Sequence, residues 1–382
     1  MADRTNPRLG LIALNSGVPH LLGLVDDGAV GGFAVGGIEV QVLTLARALA
    51  ARGWDITILA GDWGQPDEAL TDDGLRVIKA CQKRRSRLGK AQTALELIGS
   101  IGSLPVDILM LQGIHPAVGV SSFVSHRTGK RFVFWLASNT DATCTHRKTS
   151  RLPLGQRTCA GYGVRHADAV VTQTTHQRDL VRQNFRRDSV VIPNAWPVDV
   201  LKPGRADRPT ALWVANLRWE KRPEMVLELA QAAPEINFLM VGGPMPGNDA
   251  LYQHIVSEQH NYPNFEYAGF VPFSDVGRYF EQADVFINTS VVEGFPNTFL
   301  QAWDAQLPIV ATFDPDSVLS REKLGYHCTE VPVFADKLRQ LMANPEERQA
   351  LGGRAKQYLR DNFSMEVVVP RLETLLREVA SR

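Results

Sequence analysis

The chain has 382 residues, 44% of them hydrophobic and 21% charged, with Lys and Arg matching Asp and Glu at 41 each. That length exceeds one ordinary core and fits two domains, and the composition is that of a soluble globular protein, which excludes a disordered or fibrous chain. The opening stretch MADRTNPRLGLIALNS holds an apolar run too short to span a bilayer and lacks the small-residue cleavage site of a secretory signal, so a cytosolic protein is expected.

In chain order, LGLIAL (9–14) reads as a first strand, followed by a Gly-rich loop, DDGAVGGFAVGG, and a helix over IEVQVLTLARALAARG. Val42, Leu45, Ala46 and Leu49 recur at helical spacing until Gly53 stops that helix. WDITILAG, VDILML and RFVFWLA continue the strands, and ADAVVTQT and SVVIPNAW close them. VLKPGRADRP is linker-like, and a second series begins behind it with TALWVANL, INFLMVGG, NFEYAGF, ADVFINTS and PIVATF as strands. Strands alternating with helical patterns predict two α/β domains in tandem with mostly parallel sheets. The tail is helical, with Pro345 starting one helix and Pro370 kinking the last. No internal repeat or low-complexity segment stands out.

Cys81, Cys144, Cys159 and Cys328 are scattered, with no CxxC and no histidines at ligand spacing, which points to ordinary thiols and to neither a disulfide framework nor a metal site. The charge balance hides an asymmetry: residues 1–200 carry 23 basic against 17 acidic residues, and 201–382 carry 18 against 24. Within the first half RVIKACQKRRSRLGK (76–90) has seven basic residues and no acid. It reads either as a solvated turn and helix start or as a surface for anionic lipid headgroups or nucleic acid.

A strand followed by glycines and a helix start is the physical form of an anion site, and Gly31, Gly32, Gly36 and Gly37 supply the glycines. The stretch matches neither GxGxxG nor a P-loop, and a flexible loop without a ligand reads equally well. NTSVVEGFPNTFLQAW carries more information. A strand ends near Asn288, a loop carries Glu293, Gly294 and Pro296, and a helix begins near Asn297 with Thr298 in its first turn, where open α/β sheets bind ligands. Glu293 is suited to accept hydrogen bonds from sugar hydroxyls, and Gln301, on the same helix face as Asn297, can both donate and accept. In WVANLRWEKRP, Asn216 and Arg218 follow the first strand of the second half, and Lys221 precedes Pro223 at a helix start. These cations either stabilise a departing diphosphate or are ordinary solvated charges.

Taken together, GGIEVQVLTLARALAARGWDITILAG, VIPNAW, NLRWEKRP, YAGFVP and ADVFINTSVVEGFPNTFLQAWDAQLPIVAT resemble the family 4 glycosyltransferases over nearly the whole chain. The resemblance implies the GT-B fold: two Rossmann-like α/β domains, with parallel sheets facing across a deep cleft that closes over the reactants. The acceptor domain would span 1–198, with the C-terminal helix 364–382 packing back on it, and the nucleotide-sugar donor domain 205–361. In the family two glutamates separated by seven residues contact the donor sugar and the ribose; Glu293 matches the first, and Gln301 stands at the second. Lys221 matches the phosphate-binding lysine. The family's arginine five residues earlier is Asn216 here, with Arg218 the neighbouring candidate for its role. Thr298 and the backbone at Asn297 match the amides that hold the diphosphate, and Gly36 and Gly37 match the first domain's glycine pair. Gly294, Phe295, Pro296 and Phe270 complete the expected donor side.

Two departures fall on the acceptor side. Ser138 and Asn139 stand where many members carry a histidine, and Gln112 replaces another, with His115 three residues on as either a functional histidine or a helix-start residue. The resemblance implies a retaining hexosyltransferase that uses a nucleotide diphosphate sugar as donor and needs no other cofactor and no metal. Its acceptor would be a glycan or lipid-linked group in cell-surface polysaccharide or lipopolysaccharide assembly. Residues 76–90 would meet the inner membrane surface, and nucleic acid is not an expected partner. Rival readings are a catalytically silent nucleotide-sugar-binding protein and a sugar-nucleotide epimerase on the same fold.

Overall fold

The computed structural model describes residues 6–14, 17–25, 36–82, 84, 86–143, 145 and 152–382, with the side chain of Arg87 excepted. Gly31, Gly32, Lys83, Arg85 and Cys144 lie outside the described residues. Among the described residues the chain divides into two compact units, the first drawn from 6–25, 36–195 and 365–382 and the second 196–364.

The first unit is built on β1 (Leu9–Ala13), β2 (Ile56–Gly61), β3 (Glu68–Leu70), β4 (Arg76–Cys81), β5 (Ile108–Gln112), β6 (Arg131–Trp135), β7 (Ala169–Thr172) and β8 (Val190–Val191). They form one sheet in the order β3-β4-β2-β1-β5-β6-β7-β8, parallel except for β3. Its helices are α1 (Gly17–Leu21), α2 (Gly37–Ala50), α3 (Arg87–Ser103), α4 (Ala117–Arg127), α5 (Leu154–His166) and α6 (Thr175–Phe185). All five residues of β1 are buried, because a parallel strand covered on both faces needs an unbroken apolar run. Alternation divides them. Leu9, Leu11 and Ala13 join the core that contains α2, and Ile12 joins the one that contains α3 to α6.

The second unit has β9 (Thr210–Val214), β10 (Asn237–Val241), β11 (Phe265–Tyr267), β12 (Val285–Asn288), β13 (Ile309–Ala311) and β14 (Gly325–His327), all parallel, in the order β11-β10-β9-β12-β13-β14. Around it lie α7 (Glu224–Ala232), α8 (Asp249–Glu258), α9 (Phe273–Glu281), α10 (Asn297–Asp304), α11 (Val318–Arg321), α12 (Val331–Ala343) and α13 (Pro345–Phe363). Asp304, fully buried at the end of α10, accepts the backbone N–H groups of Asp199, Val200 and Leu201 at 2.8–3.0 Å and pairs with Lys356 of α13. One carboxylate thus fixes the chain entering this unit against two of its helices.

The last helix, α14 (Met365–Ala380), belongs to the first unit, where Val368, Leu372, Leu376 and Val379 enter the core beside α2. Its Glu373 accepts from Trp54 Nε1 and Arg52 Nε, both at 2.8 Å. Pro370 lies inside this helix, which is assigned without a break.

The basic run folds into β4 and the start of α3, and neighbouring segments supply acids that the run itself lacks. Arg76 pairs with Glu68 of β3 at 2.6 Å, Lys79 with Asp67 at 3.0 Å, and Arg84 with Glu96 of α3 at 2.7 Å. Cys81, Cys159 and Cys328 are free thiols, and burial pushes those of Cys81 and Cys328 up. Among the described residues no helix is long and apolar enough to cross a membrane, and no group of three or more His, Cys, Asp or Glu is gathered as for a metal.

Candidate active site

In the second unit the strand order reverses between β9 and β12, and the loops leaving their carboxyl ends are where such sheets bind ligands. The loop after β9 carries Asn216 to Arg222, and the loop after β12 carries Thr289 to Pro296. Thr289 locks the two together. Its hydroxyl accepts Trp213 Nε1–H at 2.9 Å and reaches the carbonyl oxygens of Lys221 and Arg222 at 2.5 and 3.0 Å. Val291 N–H adds a bond to Glu220 O at 2.8 Å. Arg222 takes a left-handed conformation, φ 47°, that ends the short turn and sends the chain into α7 through Pro223.

This scaffold sets Lys221 against Glu293. The ammonium pairs with Glu293 Oε1, which also accepts from Ser290 Oγ at 2.7 Å, and both side chains are mostly buried, 22% and 13% exposed. A cation and a carboxylate therefore stand side by side across the point where the sheet reverses. Arg218 is half-buried in the same loop, with Nη2 4.0 Å from Met245 Sδ. Leu217 N–H bonds Gly243 O at 3.0 Å, which draws the end of β10 alongside. Gly242 there has φ 157°, and a Cβ would fall 1.7 Å from the Ala215 carbonyl oxygen, so only glycine permits this approach. The Phe270 ring lies over Gly243, and Tyr267, whose phenol burial pushes up to about 12, donates to Gly242 O at 2.7 Å.

The helix α10 starts at Asn297 behind Pro296, with no side chain capping its first turn. Thr298 follows in that turn, and Gln301 is nearly buried at 6% exposure. The Phe295 ring is buried among Phe299, Trp303 and Phe363, with centroids 6.3, 5.8 and 4.7 Å away, and anchors the loop from within the core. Sequence reasoning missed Thr289 and Ser290, short polar residues whose partners lie about seventy positions away or depend on the loop's turn.

The first unit has its own reversal point, between β1 and β5. A pocket of about 180 Å³ opens there, lined by the ends of β1 and β5, Ile38 and Glu39 of α2, and Ala137, Ser138 and Asp141 after β6. Gln112 and His115 line it as well, whereas Asn139 is not among the lining residues. A Cβ at Gly36 would lie 2.6 Å from Glu39 Oε2, so the carboxylate would have to shift to admit one. Gly36 precedes the first turn of α2, which begins at Gly37. Asp141, 4% exposed, accepts the N–H groups of Ala137 at 2.7 Å and Ser138 at 3.1 Å, and that of Ile114 from the loop after β5. Burial outweighs these bonds and pushes its carboxyl up to about 6. His115 Nδ1 accepts from Ala117 N–H at 3.1 Å.

The sequence matches two family models, "Glycosyl transferase 4-like domain" over residues 36–195 and "Glycosyl transferases group 1" over residues 202–358. The alpha-monoglucosyldiacylglycerol synthase of Acholeplasma laidlawii is 26% identical over 185 residues, 47% of this chain and 46% of that protein. The D-inositol 3-phosphate glycosyltransferase of Corynebacterium diphtheriae is 25% identical over 393 residues, 90% of each. The chain thus spans about half the length of the first relative and nine-tenths of the second. The solved structure of Anabaena HepE in complex with UDP and glucose has the same fold, with a TM-score of 0.76 at 14% identity over 98% of this chain and 100% of that one. The two family matches cover most of both units, and the chain belongs to the family 4 glycosyltransferases, the retaining, nucleotide-sugar-dependent enzymes of the GT-B fold.

Proposed function

We propose that the protein is a retaining hexosyltransferase that moves a sugar from a nucleotide diphosphate sugar to a hydroxyl of a glycan or lipid-linked acceptor, in the assembly of a cell-surface polysaccharide or lipopolysaccharide. The observation that carries this reading is the Lys221–Glu293 pair at the reversal point of the second sheet. Its members are suited to opposite ends of the scissile bond. Lys221, with Arg218 beside it and the start of α10 at Asn297 and Thr298, would hold the diphosphate and stabilise the charge it gains as it leaves. Glu293, oriented by Ser290, would accept hydroxyls of the donor sugar and give up its contact with Lys221 in exchange.

Departure of the diphosphate leaves an oxocarbenium-like carbon. The acceptor hydroxyl attacks from the face the phosphate leaves, and the phosphate takes its proton, so configuration is retained without a protein nucleophile. Gln301 would serve the ribose, and Phe270 and Pro296 would border the base and sugar. The first-unit pocket lined by His115 and Ser138 would take the acceptor. Because HepE was solved with UDP and glucose, UDP-glucose is the donor to try first. A diacylglycerol-type acceptor draws support from the name of the Acholeplasma relative.

The test is nucleotide release from UDP-, GDP- and ADP-sugars, followed by chromatography with and without a panel of lipid and glycan acceptors. One donor should be turned over, and Glu293→Gln should lower that turnover about a hundredfold or more. Equal turnover by the variant would overturn the assignment of Glu293, and an epimerised free nucleotide sugar would overturn the transfer reaction.

A further inference from the structure

The helices α3, α4 and α5 lie side by side on one face of the first sheet. Leu97 and Ile101 of α3, Val118 and Val124 of α4, and Val164 of α5 point into the core beneath. Their outer face is unlike a surface meant for water. Along α3 the outward stripe runs Leu88, Ala91, Gln92, Leu95, Ile98 and Gly99, without a charge, and Leu88 and Leu95 are 82% and 67% exposed. A helix covered on one side by a core ordinarily carries its charges on the other, yet α3 is apolar on both. Phe123 of α4, 54% exposed, and Tyr162 of α5 extend the apolar surface sideways.

The charge of the layer is mostly of one sign. By sequence the three helices carry Arg87, Lys90, Arg127, Arg157 and Arg165 against Glu96; Arg127 and Arg165 are exposed on the outer side, and Glu96 is engaged by Arg84 and the backbone of Gln82. The described cations of the preceding strand and loop are, by contrast, matched by Glu68, Asp67 and Glu96.

We propose that the outer face of α3, α4 and α5 docks on an anionic lipid bilayer, with Leu88, Leu95 and Phe123 entering the interface and Arg127 and Arg165, both exposed, meeting phosphate headgroups. Exposed apolar side chains with cations and almost no acid are the combination that binds such a surface: burial supplies the contact and charge supplies selectivity for anionic lipid. Leu88 and Leu154 sit in the first turns of α3 and α5, helices that follow the parallel strands β4 and β6. They therefore stand toward the carboxyl ends of the strands, the end of the sheet at which the pocket lined by His115 and Ser138 opens. A lipid-linked acceptor held in the bilayer would present its head to that end, which deepens the transferase reading by naming where its acceptor comes from. Docking itself requires no turnover, so the two ideas fail separately.

The full chain would be sedimented with vesicles of phosphatidylcholine alone and of phosphatidylcholine mixed with phosphatidylglycerol, at low and high salt. Wild type should pellet with the mixed vesicles, less so at high salt, and remain in solution with phosphatidylcholine alone. The triple variant Leu88→Ser, Leu95→Ser, Phe123→Ser should lose roughly tenfold or more in partitioning at an unchanged thermal midpoint. The charge variant Arg127→Glu, Arg165→Glu tests the same face through exposed residues outside any core. Wild type that stays in solution with anionic vesicles overturns the proposal, whether or not it self-associates through this face. So does equal binding to both vesicle types, or wild-type binding by both variants.

Discussion

Asp141 makes a prediction whose sign runs against simple intuition. Its carboxylate accepts three backbone N–H groups from the loops after β5 and β6, so ionisation would be expected to tighten the pocket. Burial works the other way and is the larger effect, raising the carboxyl from an ordinary 3.8 to about 6. The closed loop therefore binds its proton more tightly than the opened one. Its stability is greatest below the ordinary value and falls as pH rises from about 4 to about 6, beyond which it is flat. A gap of about two pH units corresponds to roughly 3 kcal/mol, or about a hundredfold in the opening equilibrium. Hydrogen exchange of the Ile114, Ala137 and Ser138 amides, expressed as protection factors to remove the intrinsic pH effect, reads that equilibrium directly. Protection should drop by about a hundredfold between pH 4 and pH 7 in wild type and stay level in Asp141→Asn. Protection that is level in wild type, or that rises with pH, would refute the reasoning that burial dominates at this carboxyl.

Two further outcomes concern the second unit. Lys356→Ala leaves Asp304 charged in a fully buried position, and unfolding of this unit by urea should become easier by about 3–5 kcal/mol; a change under about 1 kcal/mol would mean that the three backbone amides alone satisfy the carboxylate. Gly242→Ala must displace the Ala215 carbonyl and with it the loop that carries Arg218 and Lys221, so both the thermal midpoint and nucleotide affinity should fall, whereas Gly247→Ala, at a glycine with open space around it, should lower the midpoint without touching affinity.

The sequence carried the fold class well, because buried parallel strands write themselves as short unbroken apolar runs, and LGLIA and VFIN could be placed without knowing their neighbours. It also placed the turn from β12 into α10, where Pro296 and the restart of helical periodicity mark the boundary. Contacts between distant loops were not legible. Nothing local in NTSVVEG says that Thr289 will reach back to Lys221, since that bond exists only once β9 and β12 are neighbours. The basic run looked unopposed because its acids come from Asp67, Glu68 and Glu96, the first two brought in by the antiparallel β3. Asp141 looked like an ordinary loop residue in FWLASNTD, and its burial follows from the meeting of the loops after β5 and β6. Phe295 reads as a loop aromatic beside a glycine and a proline, and only the packing of α10 on α13 turns it inward.

In the proposed reaction Lys221 and Glu293 hold the two halves of a nucleotide diphosphate sugar. Titration calorimetry of the full chain with UDP and UDP-glucose, repeated with GDP and ADP and their glucose conjugates, tests it most directly on wild type, Lys221→Ala and Glu293→Ala. One nucleotide should bind, Lys221→Ala should weaken the nucleotide and its conjugate alike, and Glu293→Ala should remove only the increment contributed by the sugar. Nucleotide binding that is the same in wild type and Lys221→Ala, or no binding of any of these compounds to wild type, would contradict it.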